Sequence, residues 1–352
     1  MHGSAVTRIG LIGAGWAAGY HLAAWRSLRS RADVVAIADP DRAAARSRAD
    51  EYGIERTYDS AEALFDDVAI DAVDIAAPRE FHGPIARLAA DRGIAILCQK
   101  PLAPTLAEAE RLVADIGNRA RMMVHENWRF RPHYRLIGRW LDQGRVGAVR
   151  TVRMAVLTSG LLPDSSGELP ALVRQPMLAG LERMLLMEVL IHHVDTLRFL
   201  LGPLELLGAC LGRTCTAIRG EDRATLLMTV HGADGSTPAT TSGIAVTGAG
   251  AAVTLIGDFM AVGEPAAQYD RLEIFGTRGT ITLIGDTLRS AGGIAEEVRV
   301  DLDANYRASW KGAIAHFIDR LADGQPFETR PEDNLETLRI VEDAYRGGQA
   351  AD

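Results

Sequence analysis

The sequence predicts an α/β protein with two domains: a doubly wound parallel sheet over residues 1–127, and an α+β domain with an open, mainly antiparallel sheet over residues 128–352. As far as residue 127, short apolar segments of strand type alternate with helical segments, which is typical of a parallel sheet covered by helices. From Leu204 to Val300, strand-type segments separated by glycines follow one another with hardly a helix, which is typical of an antiparallel sheet.

The elements of the first domain are bounded by clear turn and cap signals. Gly53 ends one predicted helix, and Pro84 and Gly93 bracket another, with proline near the start and glycine after the end. Thr105 and Glu108 have the spacing of a capping box. The predicted strands are Ile9–Ile12, Val34–Ala38, Ala72–Ala76, Ile94–Cys98 and Arg121–His125, and the predicted helices are Ala43–Tyr52, Ala61–Asp67, Pro84–Arg92 and Leu106–Gly117.

The second domain begins with a different pattern. Val149–Leu157 alternates in part and predicts a strand, whereas Leu161–Pro176 carries prolines and predicts irregular structure. Met184–Leu201 predicts one long helix, which Gly202 and Pro203 end. Two helices close the chain, Trp310–Leu321 and Asn334–Tyr345, and the last is a candidate to pack back on the first domain.

The first turn of the chain carries the chemistry of a dinucleotide site. Gly13, Gly15 and Ala18 follow an apolar strand and open a helix, in the pattern G-x-G-x-x-G/A. Gly13 permits the tight turn, Gly15 allows a pyrophosphate to approach the backbone, and the helix N-terminus attracts its charge. Asp39 ends the next strand, where a carboxylate binds the ribose hydroxyls. The pattern predicts a Rossmann fold that binds NAD; the alternative is a flavodoxin-like turn with incidental glycines.

The amino-acid composition limits the kinds of molecule that the protein is expected to bind and the compartment in which it is expected to lie. A formal net charge of −8 argues against nucleic acid, whose binding needs a basic footprint. Cys98, Cys210 and Cys215 have neither metal-type spacing nor a disulfide framework, which indicates a reducing compartment. The short polar start and the lack of an apolar segment of about 20 residues predict a cytoplasmic protein without a signal peptide or membrane span.

Several separated segments together resemble the glucose–fructose oxidoreductase / inositol dehydrogenase (Gfo/Idh/MocA) family, nearly from end to end. They are the glycine turn, Ile75–Pro78 with His82, Gln99–Ala103, Asn127–Pro132, Glu188–Asp195 and the closing helices. The resemblance implies an oxidoreductase that oxidises a hydroxyl or reduces a ketone of a sugar, polyol or sugar acid. It also implies a second domain that builds a homodimer or homotetramer. Surplus apolar strand residues, in Leu226–Met228, Ile244–Val246 and Val253–Ile256, agree with that expectation.

The carboxyl ends of parallel strands meet at one edge of a sheet, where ligands bind. That rule and the family resemblance together predict the residues that contact the cofactor. They are Gly13, Gly15, Trp16, Ala17, Asp39, Pro78, His82, Gln99 and Lys100. Asp39 favours NAD over NADP, because its charge repels a 2′-phosphate. Arg42 lies close in sequence and is the feature that would favour NADP instead.

The predicted catalytic residues are Lys100, His192 and Glu188. The resemblance places Lys100 at the family's catalytic lysine and His192 at its acid/base. Glu188 is four residues before His192 and shares its face on a regular helix, so it is expected to orient the imidazole; Asp195 lies near the same face. We expect His192 to take the hydroxyl proton and Lys100 to stabilise the alkoxide. His193 is expected to pack. The spacing matches no zinc motif, so no metal is predicted.

Two residues depart from the family pattern. Gln99 stands where the family has Glu, which removes a negative charge beside Lys100 and disfavours its charged form. Glu188 stands for Asp and reaches one methylene farther. Either change is compatible with another substrate or with weakened roles.

The predicted substrate residues are Asn127, Arg129, Arg174 and Asp195. Asn127 and Arg129 suit a hydroxylated substrate, with a structural link between the domains as the alternative. Arg174 and Arg183 would bind a carboxylate, or else lie solvated in a loop.

Three functions remain open on this reading. The first is an NAD-dependent dehydrogenase or reductase. The second is a redox-neutral enzyme that keeps NAD bound, oxidises a sugar transiently and then eliminates or epimerises. The third is a dinucleotide-sensing protein without catalysis. Net turnover of free cofactor separates the first from the second, and tight cofactor binding without turnover would indicate the third.

Overall fold

The computed structural model describes residues 6–230, 250–267, 269–347 and 349–350. The chain forms two compact units. Unit 1 comprises residues 1–130 with 306–338, and unit 2 comprises residues 131–305 with 339–352. The sequence-based division placed everything after residue 127 in the second domain, with the last helix as a candidate to pack back on the first. The structure instead assigns residues 306–338 to unit 1, and these residues include most of the helix Leu302–Asp323 but only the first part of the last helix, Pro331–Gly347.

Unit 1 contains a parallel sheet in the order β3-β2-β1-β4-β5-β6, which confirms the predicted doubly wound fold. Its strands are β1 (Thr7–Ile12), β2 (Ala32–Ala38), β3 (Arg56–Tyr58), β4 (Ala72–Ile75), β5 (Ala95–Gln99) and β6 (Met122–His125). Its helices are α1 (Trp16–Arg26), α2 (Arg42–Tyr52), α3 (Ala61–Asp67), α4 (His82–Ala90) and α5 (Leu106–Ile116). The order reverses between β1 and β4, and ligands of such sheets bind at that point.

The helix ends in unit 1 follow local chemistry. The Asp41 carboxylate accepts hydrogen bonds from two backbone N–H groups at the start of α2, and Gly53 ends that helix in the left-handed conformation. The Thr105 hydroxyl accepts from the Glu108 N–H and lies 2.9 Å from the Glu108 carboxylate, which ties the first turn of α5. These contacts explain why the predicted bounds of α2 and α5 agree with the structure within a residue.

The core of unit 1 includes side chains of the return segment. Buried residues of β1, such as Ile9 and Leu11, belong to the same apolar cluster as Trp310, Ile314 and Phe317. Burial of large side chains of this kind contributes about 1.5–3 kcal/mol each. The return segment therefore belongs to the hydrophobic core of unit 1 although it is distant in sequence.

Unit 2 is built on a mixed, mainly antiparallel sheet in the order β14-β13-β12-β11-β7-β10-β9-β8-β15. Among the described strands of this sheet, only the pairs β7–β10 and β8–β15 are parallel. The strands are β7 (Val149–Leu157), β8 (Leu204–Gly212), β9 (Arg223–Val230), β10 (Ala251–Asp258), β11 (Asp270–Gly276), β12 (Gly279–Ile284), β13 (Thr287–Gly292), β14 (Glu296–Arg299) and β15 (Gln349–Ala350). The apolar segment Ile244–Val246 lies outside the described residues.

The helices of the second half depart from the predictions in several places. They are α6 (Pro132–Asp142), α7 (Pro170–Arg174), α8 (Ile191–Leu201), α9 (Leu302–Asp323) and α10 (Pro331–Gly347). The sequence reading missed α6, and α7 lies in the stretch expected to be irregular. The long helix predicted from Met184 is divided: a π-helical turn, Leu185–Leu190, precedes α8. The residue types in this segment gave no sign of the change, because a π turn differs from an α-helix in its hydrogen bonding and not in residue type.

None of the helices in the described part of the chain is long and apolar enough to cross a membrane.

Candidate functional site

The glycine turn after β1 has the geometry that the sequence predicted. Gly13 has a φ of +105°, and a Cβ there would lie 2.6 Å from the carbonyl oxygen of Ala76. Gly15 is the N-cap of α1, and a Cβ there would meet nothing within 4 Å. Gly13 therefore serves the packing of the turn itself, whereas Gly15 leaves open space at a helix N-terminus, which suits a pyrophosphate.

Asp39 lies directly beside this turn. One carboxylate oxygen accepts the N–H of Ala14 at 2.7 Å, and the other accepts the N–H of Asp41 at 2.8 Å. The carboxylate is thereby held at the carboxyl end of β2, next to the glycine turn. Arg42, the residue that would favour a 2′-phosphate, forms an ion pair with Asp59.

Trp16 and Ala17 open helix α1. Trp16 is 45% exposed, and its ring lies 4.8 Å from that of Tyr20 and 6.5 Å from that of Trp310. Ala17 is partly buried against the apolar core. The two residues thus place an exposed aromatic side chain and a small one immediately after Gly15.

The loop that carries Lys100 is fastened to the end of β4. The ring nitrogens of buried His82 lie 2.9 Å from the carbonyl oxygens of Pro101 and Ala77. Pro78 is exposed and caps the short turn before α4. Lys100 itself is partly buried and directly follows β5. His82 thus holds together two loops at the ligand-binding edge of the sheet.

Two buried polar residues near Lys100 were not among the predicted site residues. The Nδ1 of His21 lies 2.8 Å from Oδ2 of Asp74, and Gln99 contacts both His21 and the backbone N–H of Lys100. A signal for them exists in the sequence: Asp74 is a carboxylate within an otherwise apolar central strand, and such a residue needs a buried partner.

In unit 2, Glu188 lies in the π-helical turn, and His192 and Asp195 lie in α8. His192 is 7% exposed and Asp195 is fully buried, while Glu188 is partly buried. The expectation that Glu188 and His192 share a face assumed one regular α-helix, and that assumption is wrong because the π turn intervenes. The roles themselves remain proposals.

His193 is anchored by a buried carboxylate. Its Nε2 lies 2.7 Å from Asp270, whose other oxygen accepts hydrogen bonds from Tyr134 at 2.6 Å and Arg131 at 3.1 Å. Burial alone would raise the pKa of Asp270, but the charges of His193 and Arg131 outweigh it and hold the pKa well below its ordinary value. The expected packing role of His193 thus takes the form of a link from α8 to β11.

The predicted substrate residues have mostly structural contacts. Asn127 donates to the hydroxyl of Ser309 at 2.8 Å, and Arg129 forms an ion pair with Asp333 at 2.8 Å, both within unit 1. These contacts attach Asn127 and Arg129 to the return segment of the same unit, and they are not a link between the two domains. Arg183 pairs with Glu342 at 2.7 Å, whereas Arg174 is exposed and has no ion pair among the described residues. Their binding of substrate stays a prediction.

Comparison with known proteins identifies both halves of the chain. Residues 7–126 match the oxidoreductase family with an NAD-binding Rossmann fold, GFO_IDH_MocA, and residues 134–282 match the GFO/IDH/MocA C-terminal domain. The first match confirms the predicted fold and NAD as the cofactor of that domain.

Individual relatives agree with the family match. D-apiose dehydrogenase of Paraburkholderia graminis is 38% identical over 62% of this chain and 56% of its own length, and inositol 2-dehydrogenase of Rhizobium meliloti is 36% identical over 55% of each. The chain thus spans little more than half the length of these curated relatives. An oxidoreductase from Agrobacterium radiobacter, solved with NAD+, L-tartaric acid and magnesium, has a TM-score of 0.84 at 28% identity, covering 97% of this chain and 96% of its own.

Proposed function

Because the chain belongs to the GFO/IDH/MocA oxidoreductase family, we propose that it is an NAD-dependent dehydrogenase or reductase of a sugar, polyol or sugar acid. One observation carries the proposal: the glycine turn, Asp39 and Lys100 follow β1, β2 and β5 at the same edge of one parallel sheet. When bound, NAD would supply the acceptor or donor of hydride for the hydroxyl or keto carbon.

The residues of unit 1 fit the cofactor. The open space at Gly15 admits a pyrophosphate to the N-terminus of α1, and the Asp39 carboxylate is an acceptor for ribose hydroxyls. Gly13, Trp16, Ala17, Pro78, His82, Gln99 and Lys100 complete the proposed cofactor set. The negative charge of Asp39 and the engagement of Arg42 with Asp59 support NAD over NADP.

The proposed roles in the reaction divide among three side chains. Lys100 stabilises the negative charge that develops on the reacting oxygen, and His192 takes or returns the hydroxyl proton. Glu188 orients His192 and stabilises its cationic form. Asn127, Arg129, Arg174 and Asp195 are proposed to contact substrate, with Arg174 suited to a carboxylate.

A substrate screen tests the function directly. Reduction of NAD, and of NADP in parallel, is followed with a panel of sugars, polyols and sugar acids that includes D-apiose, inositol and L-tartaric acid. We expect net turnover of free NAD with at least one member. Tight NAD binding without net turnover on any member would contradict the proposal, and tighter binding of NADP would overturn the cofactor preference.

Substitution of the catalytic side chains tests their roles. Acid–base catalysis contributes about 10²–10⁴ in rate, so Lys100→Ala and His192→Ala should each lose on the order of a hundredfold in kcat. Binding of NAD, measured by calorimetry, should change little. Glu188→Gln should cost less, because its shape is kept. Nearly full activity of His192→Ala would show that another group moves the proton.

A further inference from the structure

A chain of hydrogen bonds connects a buried carboxylate of unit 1 to the backbone of Lys100. Asp74 in β4 is fully buried, and its Oδ2 lies 2.8 Å from Nδ1 of His21. The side-chain nitrogen of Gln99 lies 3.0 Å from Nε2 of His21. The side-chain oxygen of Gln99 accepts the N–H of Lys100 at 2.8 Å. The first two links join residues on different elements, β4 with α1 and α1 with β5, and the third joins neighbouring residues at the end of β5.

Groups that can only donate a hydrogen bond determine the direction of every hydrogen bond in this series. The N–H of Lys100 is a donor, so the Gln99 oxygen faces it and the Gln99 NH₂ group faces His21. Nε2 of His21 must then accept, which leaves the proton on Nδ1, where it is donated to Asp74. Trp25, another obligate donor, gives its indole N–H to the same Asp74 oxygen at 2.6 Å. These directions assign to His21 the neutral imidazole tautomer with its proton on Nδ1.

Side chains from each of the neighbouring elements surround His21. They are Asp74 on β4, Gln99 on β5, His125 on β6 with its ring centroid 4.3 Å away, Trp310 on α9 with its ring centroid 5.1 Å away, and Trp25 on α1 itself. Cys98 is buried, and burial together with the charge of Asp74 raises the pKa of its thiol, so it stays neutral beside the carboxylate.

We propose that His21 and Asp74 are positioning residues for Lys100 and act through Gln99. The proposal rests on the proposed function, because it matters for catalysis only if Lys100 meets the reacting oxygen. Fixing the peptide N–H of Lys100 fixes the point from which its side chain extends. A displacement of about 1 Å at a catalytic group can cost about 10²-fold in rate.

The residue at position 99 also determines how many protons the imidazole of His21 carries. With Gln99, the side-chain amide donates to His21 and the imidazole needs one proton. With Glu at this position, both imidazole nitrogens would face carboxylates, and His21 would need a proton on each nitrogen to donate to both. Gln99→Glu is therefore expected to convert His21 to an imidazolium while the acceptor for the Lys100 N–H is kept.

The hydrogen-bond chain is tested without any substrate. Nitrogen-15 NMR of the histidines should show His21 neutral with the proton on Nδ1, and doubly protonated in Gln99→Glu at the same pH. The amide of Lys100 should resist hydrogen exchange in the parent protein and in Gln99→Glu, and lose protection in His21→Ala. Trp25→Phe is the matched control: it removes a donor from the same Asp74 oxygen but leaves the path to Lys100, so protection should remain.

The catalytic consequence is tested by a double-mutant cycle. His21→Ala and Asp74→Ala should lower kcat on the order of 10- to 100-fold with little change in NAD affinity. Asp74→Asn, which keeps an oxygen acceptor, should restore most of the rate. In a Lys100→Ala background, His21→Ala should cost nothing more, since both changes remove the same contribution.

The outcomes separate the two proposals. A proton on Nε2 of His21 in the parent protein, or equal losses from His21→Ala with and without Lys100, would overturn the positioning role. If no compound in the panel is turned over, the proposed function fails, while the NMR and amide-exchange results still decide whether His21 and Asp74 hold the Lys100 backbone.

Discussion

At the scale of residues, we expect replacement by alanine to have different effects at the two glycines of the glycine turn after β1. Gly13→Ala should destabilise unit 1 by about 2 kcal/mol or more, because φ is +105° and the new Cβ would contact a backbone oxygen. Gly15→Ala should cost less stability, about 1 kcal/mol or less, since its Cβ meets open space and only the preference of an N-cap for glycine over alanine is lost. It should still weaken NAD binding, because that space is where the pyrophosphate is proposed to lie.

Urea unfolding and calorimetric titration with NAD measure the two effects separately. Each glycine variant is the control for the other, since both place one methyl group in the same turn. A loss of stability in Gly15→Ala as large as that in Gly13→Ala, or unchanged NAD affinity in Gly15→Ala, would contradict this interpretation of the turn.

His133 on α6 predicts a loss of stability in weak acid. Burial, followed by the nearby Arg131 charge, lowers the pKa of His133 from 6.5 to about 4; its Nδ1 contacts Asn305, and its Nε2 has no hydrogen-bond partner among the described residues. The unfolded chain binds the proton first as the pH falls, so stability decreases from pH 6.5 towards 4. The His133 contribution amounts to about 2 kcal/mol between pH 8 and pH 5.

The measurement compares unfolding free energies at pH 8 and pH 5 for the parent protein and for His133→Asn. Asparagine keeps an N–H donor near the Nδ1 position but does not titrate. The variant should lose less stability than the parent over this range. Equal losses in the two proteins would show that His133 is not the responsible group.

At the scale of elements, the link between α8, α6 and β11 depends on Asp270. Asp270→Asn removes the charge that pairs with His193 and Arg131 in a buried setting, and should cost about 3 kcal/mol or more at neutral pH. Because the folded-state pKa of Asp270 lies below its ordinary value, this stabilisation is complete above about pH 4 and is lost as the pH falls further.

The difference in unfolding free energy between the parent protein and Asp270→Asn should therefore shrink from pH 7 to pH 3. Tyr134→Phe is a suitable control, since it removes one neutral donor from the same carboxylate and should cost less. A difference that stays constant with pH would mean that the charge of Asp270 contributes little.

At the scale of the whole molecule, the sheet of unit 2 has apolar side chains on an exposed face. Leu227 and Ile256 are 44% and 39% exposed, on neighbouring strands β9 and β10. We propose that a second copy covers this face in a homodimer, with a homotetramer as the larger alternative. Light scattering at micromolar concentration should give at least twice the chain mass of 37.9 kDa, and Leu227→Lys should lower it. A monomeric parent protein would exclude this assembly.

The sequence by itself determined the parallel sheet, the bounds of α2, α3 and α5, the glycine turn and the family. These follow from short-range information: apolar periodicity, caps such as Thr105 with Glu108, and residues whose backbone freedom is special, such as Gly13. Each of these signals is complete within a few residues of the chain, so no knowledge of distant contacts was needed.

Only the tertiary structure decided which distant residues meet. The return of residues 306–338 to unit 1, the contact of His21 with Asp74, and the Asp270 cluster join positions 53 or more residues apart. Burial is a property of the assembled core, so the sequence could not show that His133 is neutral. The sequence also could not show that a π turn precedes α8. Their energies arise from desolvation and from packing across elements, which no local pattern records.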